Sequence, residues 1–581
     1  MSRLQQKDAS NWLRQYGNAE DYQWRRCQIN GEEVYSRPIG LVETSFDADG
    51  RYYEGRADMN CELELATNNQ LEKNEFRERI LLSWNLLRQR HPLLQSRTFL
   101  DRKSGIYTIS PTGIHFAVPV HETSSKAIED AGQHLVFVGD HYESIDHRDF
   151  YLHCLNGSRI LDPSQALAKL FVLPSSHEDG RQVLRLLFIF GHEISDGLSA
   201  YNWMSDLIRI LNEPLDKVRA LTNEFTQPDA LRKRLPPPQE ALYPSIPGTK
   251  ARQRWFWAIT RLLRHVRKPL PVGFENPLRR RRTRESVSFS PIYDKVLDYT
   301  RTPPLNTVPV YIHLGVANVQ RLHRICREAK SSIGAGVYAL AALCMMEFYE
   351  EREPHVALED RKCFITGFPL DPRAFFGKRP EADSMMLAFS DGIALPFLSS
   401  KVPVEGRLRL LARQAQRQLS AYQKRAKPKG EDATRQFLNS RGAGLVLANQ
   451  YLYSHERADC ILPENMRKGI SLQGAYPPRP NPTSQTCGVS SIGNRDLLIR
   501  SGVYDIHNPE KDFAADFLNL NATVRARDNE FLLVISGTKE GLFSSPSIDM
   551  TSMDPVLVER WKDRFEHALD ESDDCNEKSR L

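Results

Sequence analysis

The stretch LRLLFIFGHEISDGLSAYNWM, residues 184 to 204, decides how the chain reads. An apolar run from Val183 to Phe190 ends abruptly in Gly191-His192. Such a run suits a strand buried on both faces. Beyond it, Leu198, Tyr201, Met204, Leu207, Ile208 and Leu211 recur at helical spacing. Ser195 or Asp196 stands where a helix cap belongs. A histidine at the end of a buried strand has an imidazole clear of the core and still rigidly held. That suits a general base, because an unperturbed imidazole titrates at about 6.5 and accepts a proton near neutral pH. A carboxylate at Asp196 can hold the turn, either by capping the helix or by pairing with a distant arginine. Gly197 lets the backbone pass closely or take an unusual φ.

The pattern H-x-x-x-D is weak alone, since the chain has 16 histidines and carries a second copy at His455 to Asp459. That copy follows the polar YLYSHER, lacks the glycine and opens no clear apolar helix. The bulk numbers set wider bounds. With 581 residues, 40% of them hydrophobic, the chain is large enough for more than one domain. A net charge of +5 does not call for nucleic acid. Apolar stretches such as Tyr338 to Met346 are too short for a membrane span, and MSRLQQKDASNW has no secretory apolar core. Nine cysteines without CxxC spacing predict neither disulfides nor zinc, and so a reducing interior.

Further along, Phe76, Ile80, Trp84 and Leu87 share a helical face that stops at His91-Pro92. A strand is expected to start within Leu93 to Arg97. LRKRLPPPQEALYPSIPG, from residue 231, reads as irregular. RQRWFWAITRLLRHVRK follows, with Trp255, Ile259, Leu262, Leu263 and Val266 on one helical face and arginines opposite. Arg279 to Arg282 stand in a row. This basic segment is read first as a solvated inter-domain helix. Contact with CoA phosphates or an acidic partner, and membrane-surface binding, are its rival readings. Val308 to Leu314, Cys363 to Phe368, Leu445 to Tyr453, Ala514 to Val524 and Glu530 to Ser536 read as strands. Val319 to Cys326, Val337 to Phe348 and Pro555 to Leu569 read as helices, with Ser331-Ser332 capping the second. Helices alternate with strands in both halves, which predicts two α/β domains of similar size. The expected division is 1–245, a basic and proline-rich connection 246–305, 306–569, and an acidic tail 570–581.

Strand, H-x-x-x-D-G and helix together resemble the CoA-dependent acyltransferase superfamily. That group includes chloramphenicol acetyltransferase, plant BAHD enzymes, fungal O-acetyltransferases and condensation domains of peptide synthetases. LRQRHPLLQSR, LHRICREAKSSIGAGVYALAALCMM, FPLDPR and CGVSSIGN resemble further family segments, in the family's order over about residues 40–569. WLRQYGNAEDYQW and the overall length are most similar to the fungal trichothecene 15-O-acetyltransferase type. The resemblance implies two chloramphenicol acetyltransferase-like α/β sandwich domains facing each other across a central tunnel. It implies acyl transfer, by default acetyl, from acyl-CoA as co-substrate to a hydroxyl of a small metabolite such as a terpenoid or polyketide. No bound cofactor or metal is implied. His192 would be the base, and Asp196 a structural residue paired with Arg373. Gly197 would complete the motif turn, and the Ser490 or Ser491 hydroxyl or a nearby backbone N–H would be the oxyanion donor. A monomer is expected.

The chain departs from its relatives in two places. Gly191 replaces the first of the two histidines of condensation domains. DFAADFLNL, from residue 512, lacks the glycines and tryptophan of the plant-type D-F-G-W-G. Two alternatives stay open. One is a carrier-protein-dependent enzyme forming an ester or amide, and the other is a non-catalytic binding member of the fold. The closing Ser579-Arg580-Leu581 resembles the peroxisomal S-K-L address, so a peroxisomal import receptor is an expected partner, with the cytosol as the alternative location.

Overall fold

The computed structural model describes residues 12–101, 112–282, 288–301, 306–376, 378–422, 443–474 and 485–570. The acidic tail with Ser579-Arg580-Leu581 lies outside the described residues, as does the part of the arginine-rich stretch at 283–287.

The strand Arg181–Phe190 organises the first half. It sits inside a six-stranded sheet whose order is Phe513–Val524, Met59–Asn69, Arg181–Phe190, Ala168–Val172 and Leu135–Phe137, with Ser176–Glu178 paired beside it. Both faces of this sheet are covered. Leu184, Leu186, Phe188 and Phe190 pack on Ile80, Trp84 and Leu87 of the helix Lys73–Arg90 and on Met204 and Leu207 of the helix Gly197–Leu211. Leu187 and Ile189 face the other way, onto Phe150, Tyr151 and Leu155 of the helix His147–Asn156. That is the physical cause of the unbroken apolar run. Each buried side chain of this size contributes about 1.5–3 kcal/mol relative to exposure.

The second half has a five-stranded sheet in the order Ile312–Gly315, Gly541–Ser544, Phe531–Thr538 and Gly488–Asn494, with Ser547–Ile548 beside Phe531–Thr538. Its central helix, Ile333–Arg352, is capped by Ser332 and buried without a break from Ala335 to Met346. By length and composition it could cross a membrane, but its burial marks it as a core helix. The protein is thus a mixed α/β molecule with two sheet-containing halves. One strand crosses between them. Phe513–Val524 runs antiparallel to Met59–Asn69 in the first sheet, and its Phe513, Ala515, Phe517 and Leu520 fill the first half's core.

Several local expectations are corrected. Leu445 to Tyr453 lies in a helix, Ala443–Cys460, and not in a strand. Leu447, Ala448, Tyr451 and Leu452 are buried at helical spacing, and this repeat outweighs the β-leaning look of a short apolar run. After His91 comes a 3-10 turn, Pro92–Gln95, and the strand begins only at Arg97. The strand expected from Val308 is confined to Ile312–Gly315. Residues 231–234 of the proline-rich stretch are helical, in Pro228–Arg234, a helix opened by Pro228 at its first turn, where no N–H is needed.

Candidate active site

The turn that follows the strand is built by its own hydrogen bonds. Gly191 N–H donates to the Leu167 carbonyl at 2.9 Å and Ile194 N–H donates to Gly191 at 3.1 Å. Asp196 then caps the helix Gly197–Leu211. Its Oδ1 accepts from the Ser199 N–H at 2.9 Å, and the Ser199 hydroxyl accepts from the Asp196 N–H at 2.8 Å. This reciprocal pair satisfies two donors that a helix start would otherwise leave bare.

The other carboxylate oxygen of Asp196 reaches the second half. Oδ2 accepts from Arg373 Nη2 at 2.7 Å and from the Met386 N–H at 3.0 Å. Arg373 is 1% exposed and also donates to the Ser384 carbonyl at 2.6 Å and to Asp371 at 3.2 Å. Asp196 therefore holds two structures at once, the helix start and the segment 371–386. Among the described residues no hydrogen bond joins its carboxylate to His192.

Sequence reasoning missed a second latch to the same segment. His91 Nδ1 lies 2.5 Å from Asp383 Oδ1, and Nε2 lies 3.1 Å from Asp206 Oδ2 on the same helix as Asp196. Trp203 Nε1 donates to Asp383 at 2.8 Å. Burial opposes the charged imidazole, but the two carboxylates outweigh it and push the His91 pKa up to about 9. The sequence marks this position as an H-P helix stop and within LRQRHPLLQSR, but neither feature points to Asp383 or Asp206.

His192 is densely surrounded yet only half-buried as a residue. Its Nδ1 lies 2.6 Å from the Ser195 carbonyl, which can only accept, so the proton sits on Nδ1. Nε2 is left as the basic nitrogen and has no hydrogen-bond partner among the described residues. The ring stacks on Phe46 at 4.1 Å and 25°. Burial lowers the His192 pKa below its ordinary 6.5, and the Arg527 guanidinium lowers it further. Arg527 is itself held by Asp49 at 2.8 Å. The imidazole is thereby kept neutral and ready to accept a proton. Neither Phe46 nor Arg527 was singled out in the sequence.

The two glycines differ in their reasons. A Cβ on Gly191 would stand 2.5 Å from the Glu193 carboxylate, so a larger residue there requires the buried Glu193 side chain to shift. That carboxyl is fully buried, with neither oxygen hydrogen-bonded. Burial pushes its pKa up to about 8, against Arg159 and with help from Asp47 and Asp58. Gly197 has no positive φ, and a Cβ there would meet no atom within 4 Å. Neither strain nor protein packing requires that glycine, contrary to the sequence expectation.

Ser490 and Ser491 lie on Gly488–Asn494, parallel to Phe531–Thr538. Ser490 is half-buried and Ser491 exposed, and neither hydroxyl has a hydrogen-bond partner among the described residues. The register shifts between Ser491 and Gly493. Ile492, in the shifted stretch, lines a cavity of about 290 Å³ between the halves, with Tyr201, Arg495, Asn521 and Ser536. His192, Ser490 and Ser491 are not among its lining residues. At its wall, ligand atoms of Glu62, Glu64 and His147 lie within 4.8 Å of one another, the one group of metal-ligand type among the described residues. Glu62 is bonded to His147 at 2.9 Å and Glu64 to Arg185 at 3.0 Å, so the arrangement is explained by ion pairs. The second motif copy is internal to a helix. His455 is buried with Nε2 unpartnered and its pKa pushed down to about 3, while Asp459 accepts from the Lys468 and Ile470 N–H groups.

No protein-family profile and no curated protein sequence matches the chain. Solved structures do. The trichothecene 15-O-acetyltransferase TRI3 from Fusarium sporotrichioides superposes with a TM-score of 0.60 at 13% identity, covering 95% of this chain and 98% of that one. The first condensation domain of the CDA synthetase superposes at 0.50 and 14% identity, covering 92% and 96%. The chain has the two-domain fold shared by chloramphenicol acetyltransferase-like enzymes and condensation domains. At these identities the shared property is the architecture, and the reaction has to be argued from the site.

Proposed function

We propose that the protein is an O-acyltransferase that moves an acyl group, by default acetyl, from acyl-CoA to a hydroxyl of a small hydroxylated metabolite such as a terpenoid or polyketide. The observation that carries this reading is the tautomer of His192. Ser195 accepts the Nδ1 proton at 2.6 Å, so Nε2 is the free base. In this scheme Nε2 takes the proton of the acceptor hydroxyl as that oxygen attacks the thioester carbonyl. The tetrahedral oxyanion collapses with loss of the thiolate, which takes the proton back from the imidazolium as free thiol. A preorganised donor to the oxyanion is typically worth about 2.7–4 kcal/mol. Ser490 and Ser491 are the candidates for that donor, since neither hydroxyl is committed elsewhere among the described residues. Open space at the Gly197 Cα, five residues after the histidine in the same turn, leaves room there for a reactant.

The test is thiol release from acetyl-CoA and longer acyl-CoAs over a panel of hydroxylated terpenoids and polyketides. Wild type and His192→Ala are compared side by side. Acceptor-dependent release that vanishes in the variant is expected. Release that persists in the variant removes His192 as base. Absence of release with every CoA donor points instead to a carrier-bound acyl group. For localisation, we propose peroxisomal import through Ser579-Arg580-Leu581. A fluorescent fusion to residues 560–581 tests this, and a diffuse cytosolic signal would reject it.

A further inference from the structure

The helix Lys250–Val266 presents its apolar side the wrong way round for a packed element. Its anchored side carries Trp257, 4% exposed, with the ring edge-on to Trp12 at 5.0 Å and to Tyr16 at 4.9 Å. On the same side Arg264 is buried and pairs with Glu456 at 2.8 Å. The expected apolar face points outward. Trp255 is 68% exposed, Leu262 47%, Leu263 42% and Val266 52%, with Ile259 half-buried between them. Positions 255, 259, 262 and 266 fall on one stripe at helical spacing. Val272, just past the end of the helix, is 54% exposed. Exposed large apolar residues in a contiguous stripe mark a contact surface, whereas singly scattered ones do not.

The charge around the stripe identifies the occupant. Between Thr249 and Phe274 there is no acidic residue. Lys250, Arg252, Arg254 and Lys268 are exposed beside the stripe. A partner protein that binds an amphipathic helix in a groove has to enclose much of its circumference. Here the Trp257 and Arg264 side is taken by the protein's own core, so the stripe can be met only from one side. A flat, negatively charged, partly apolar surface is an anionic lipid bilayer. Tryptophan sits well at its boundary, because its ring is apolar and its N–H is polar.

We propose that this helix is a membrane-surface contact. It would lie in the plane of an anionic bilayer with Trp255, Leu262 and Val266 in the acyl boundary, and with Lys250, Arg252, Arg254 and Lys268 on the headgroups. The inference stands independently of the acyl-transfer reading.

The experiment is flotation of the full chain with phosphatidylcholine vesicles, with and without phosphatidylserine, read together with tryptophan emission. Binding to the phosphatidylserine vesicles is expected, weakening as salt rises, with a blue shift of emission. The triple variant Trp255→Ser, Leu262→Ser, Val266→Ser changes exposed positions only, and should keep its circular dichroism while binding more than about tenfold more weakly. Arg252→Gln and Arg254→Gln should each weaken binding about fivefold. Three results would overturn the proposal. One is no binding to either vesicle, and another is binding that the triple variant leaves unchanged. The third is self-association of the wild type through the stripe with no vesicle binding, which would assign the face to a second copy of the chain.

Discussion

Asp196→Asn separates a structural carboxylate from one that manages the proton of His192. Asp196 is 5% exposed and Arg373 1%. An asparagine keeps one carbonyl oxygen. If that oxygen caps Ser199, the amide nitrogen faces Arg373 Nη2 and the Met386 N–H, two donors now at 2.7 and 3.0 Å. If the amide flips, the cap is lost instead. Removing one partner of a buried pair costs about 3–5 kcal/mol. Asp371 and the Ser384 carbonyl still touch Arg373, which places the expected cost near the lower end, about 3 kcal/mol. For domains of this size that lowers the thermal midpoint by roughly 6–12 °C. The assay is calorimetry on Asp196→Asn, Arg373→Met and the double variant. The double variant has no stranded guanidinium and should recover about 2 kcal/mol relative to the sum of the singles. Below the transition, the acid limb of the pH–rate profile should move only a little, toward lower pH, in Asp196→Asn, because the Asp196 charge is the last of the influences favouring the imidazolium and Nδ1 of His192 is bonded to Ser195. Unchanged stability together with a limb moved toward higher pH would refute the reasoning.

Gly197→Ala should fold with unchanged or slightly raised stability, by up to about 0.5–1 kcal/mol, since alanine suits a helix better and meets no atom. Its turnover should nevertheless fall, and chemical denaturation alongside thiol release checks both halves of that statement. Arg527→Gln removes the cation that helps depress His192, so the acid limb should move toward higher pH. His91 titrates at about 9 folded against 6.5 as its reference, so its stabilisation is complete below about 6.5 and lost as pH rises through 9. His91→Gln should cost a few kcal/mol at neutral pH and flatten the fall of the midpoint in that window. Glu193 titrates at about 8 folded against 4.5, so the folded state binds the extra proton between those values and stability falls as pH rises across them. Glu193→Gln should flatten that slope, as midpoints measured across the window will show.

The strand, turn and motif helix were legible because their cause is local. A sheet covered on both faces writes an unbroken apolar run, and a helix on its surface writes a 3.6-residue repeat. Asp196 with Arg373 was reached by resemblance, since nothing in the spacing of two residues 177 apart announces a contact. His91 and Asp383 are 292 apart and escaped notice for the same reason. The helix Leu41–Tyr52 that carries Phe46 reads LVETSFDADGRY, as polar as a surface element, yet Glu43, Asp47 and Asp49 are all buried. Their partners Arg37, Arg51 and Arg56 are close by in the sequence, whereas Arg527 comes from far along the chain, and nothing in the helix itself announces that these charges are paired inside. Periodicity also told which residues of Lys250–Val266 share a face, but not on which side the body of the protein lies. Leu445 to Tyr453 failed for a different reason, because a short apolar run fits strand and buried helix equally well until its repeat is counted.

The two latches explain why one histidine needs both halves of the chain. The turn of His192 is fixed at its C-terminal end by Asp196, and Asp196 is fixed by Arg373 and the Met386 N–H. About two to three turns further along the same helix, Trp203 and, through His91, Asp206 hold Asp383. The segment 371–386 is therefore tied at both ends to the helix that follows the histidine. In exchange, the second half sends Phe513–Val524 into the first sheet, and Arg527 just beyond it electrostatically lowers the His192 pKa. A relative displacement of the halves would break the latch at Asp196 and strain the placement of Arg527, which after burial helps keep the imidazole neutral. Geometry and basicity of His192 thus depend on the same contact surface. An isolated first half would lack one strand of its sheet, the partner of Asp196 and the charge of Arg527, and so could not reproduce the site.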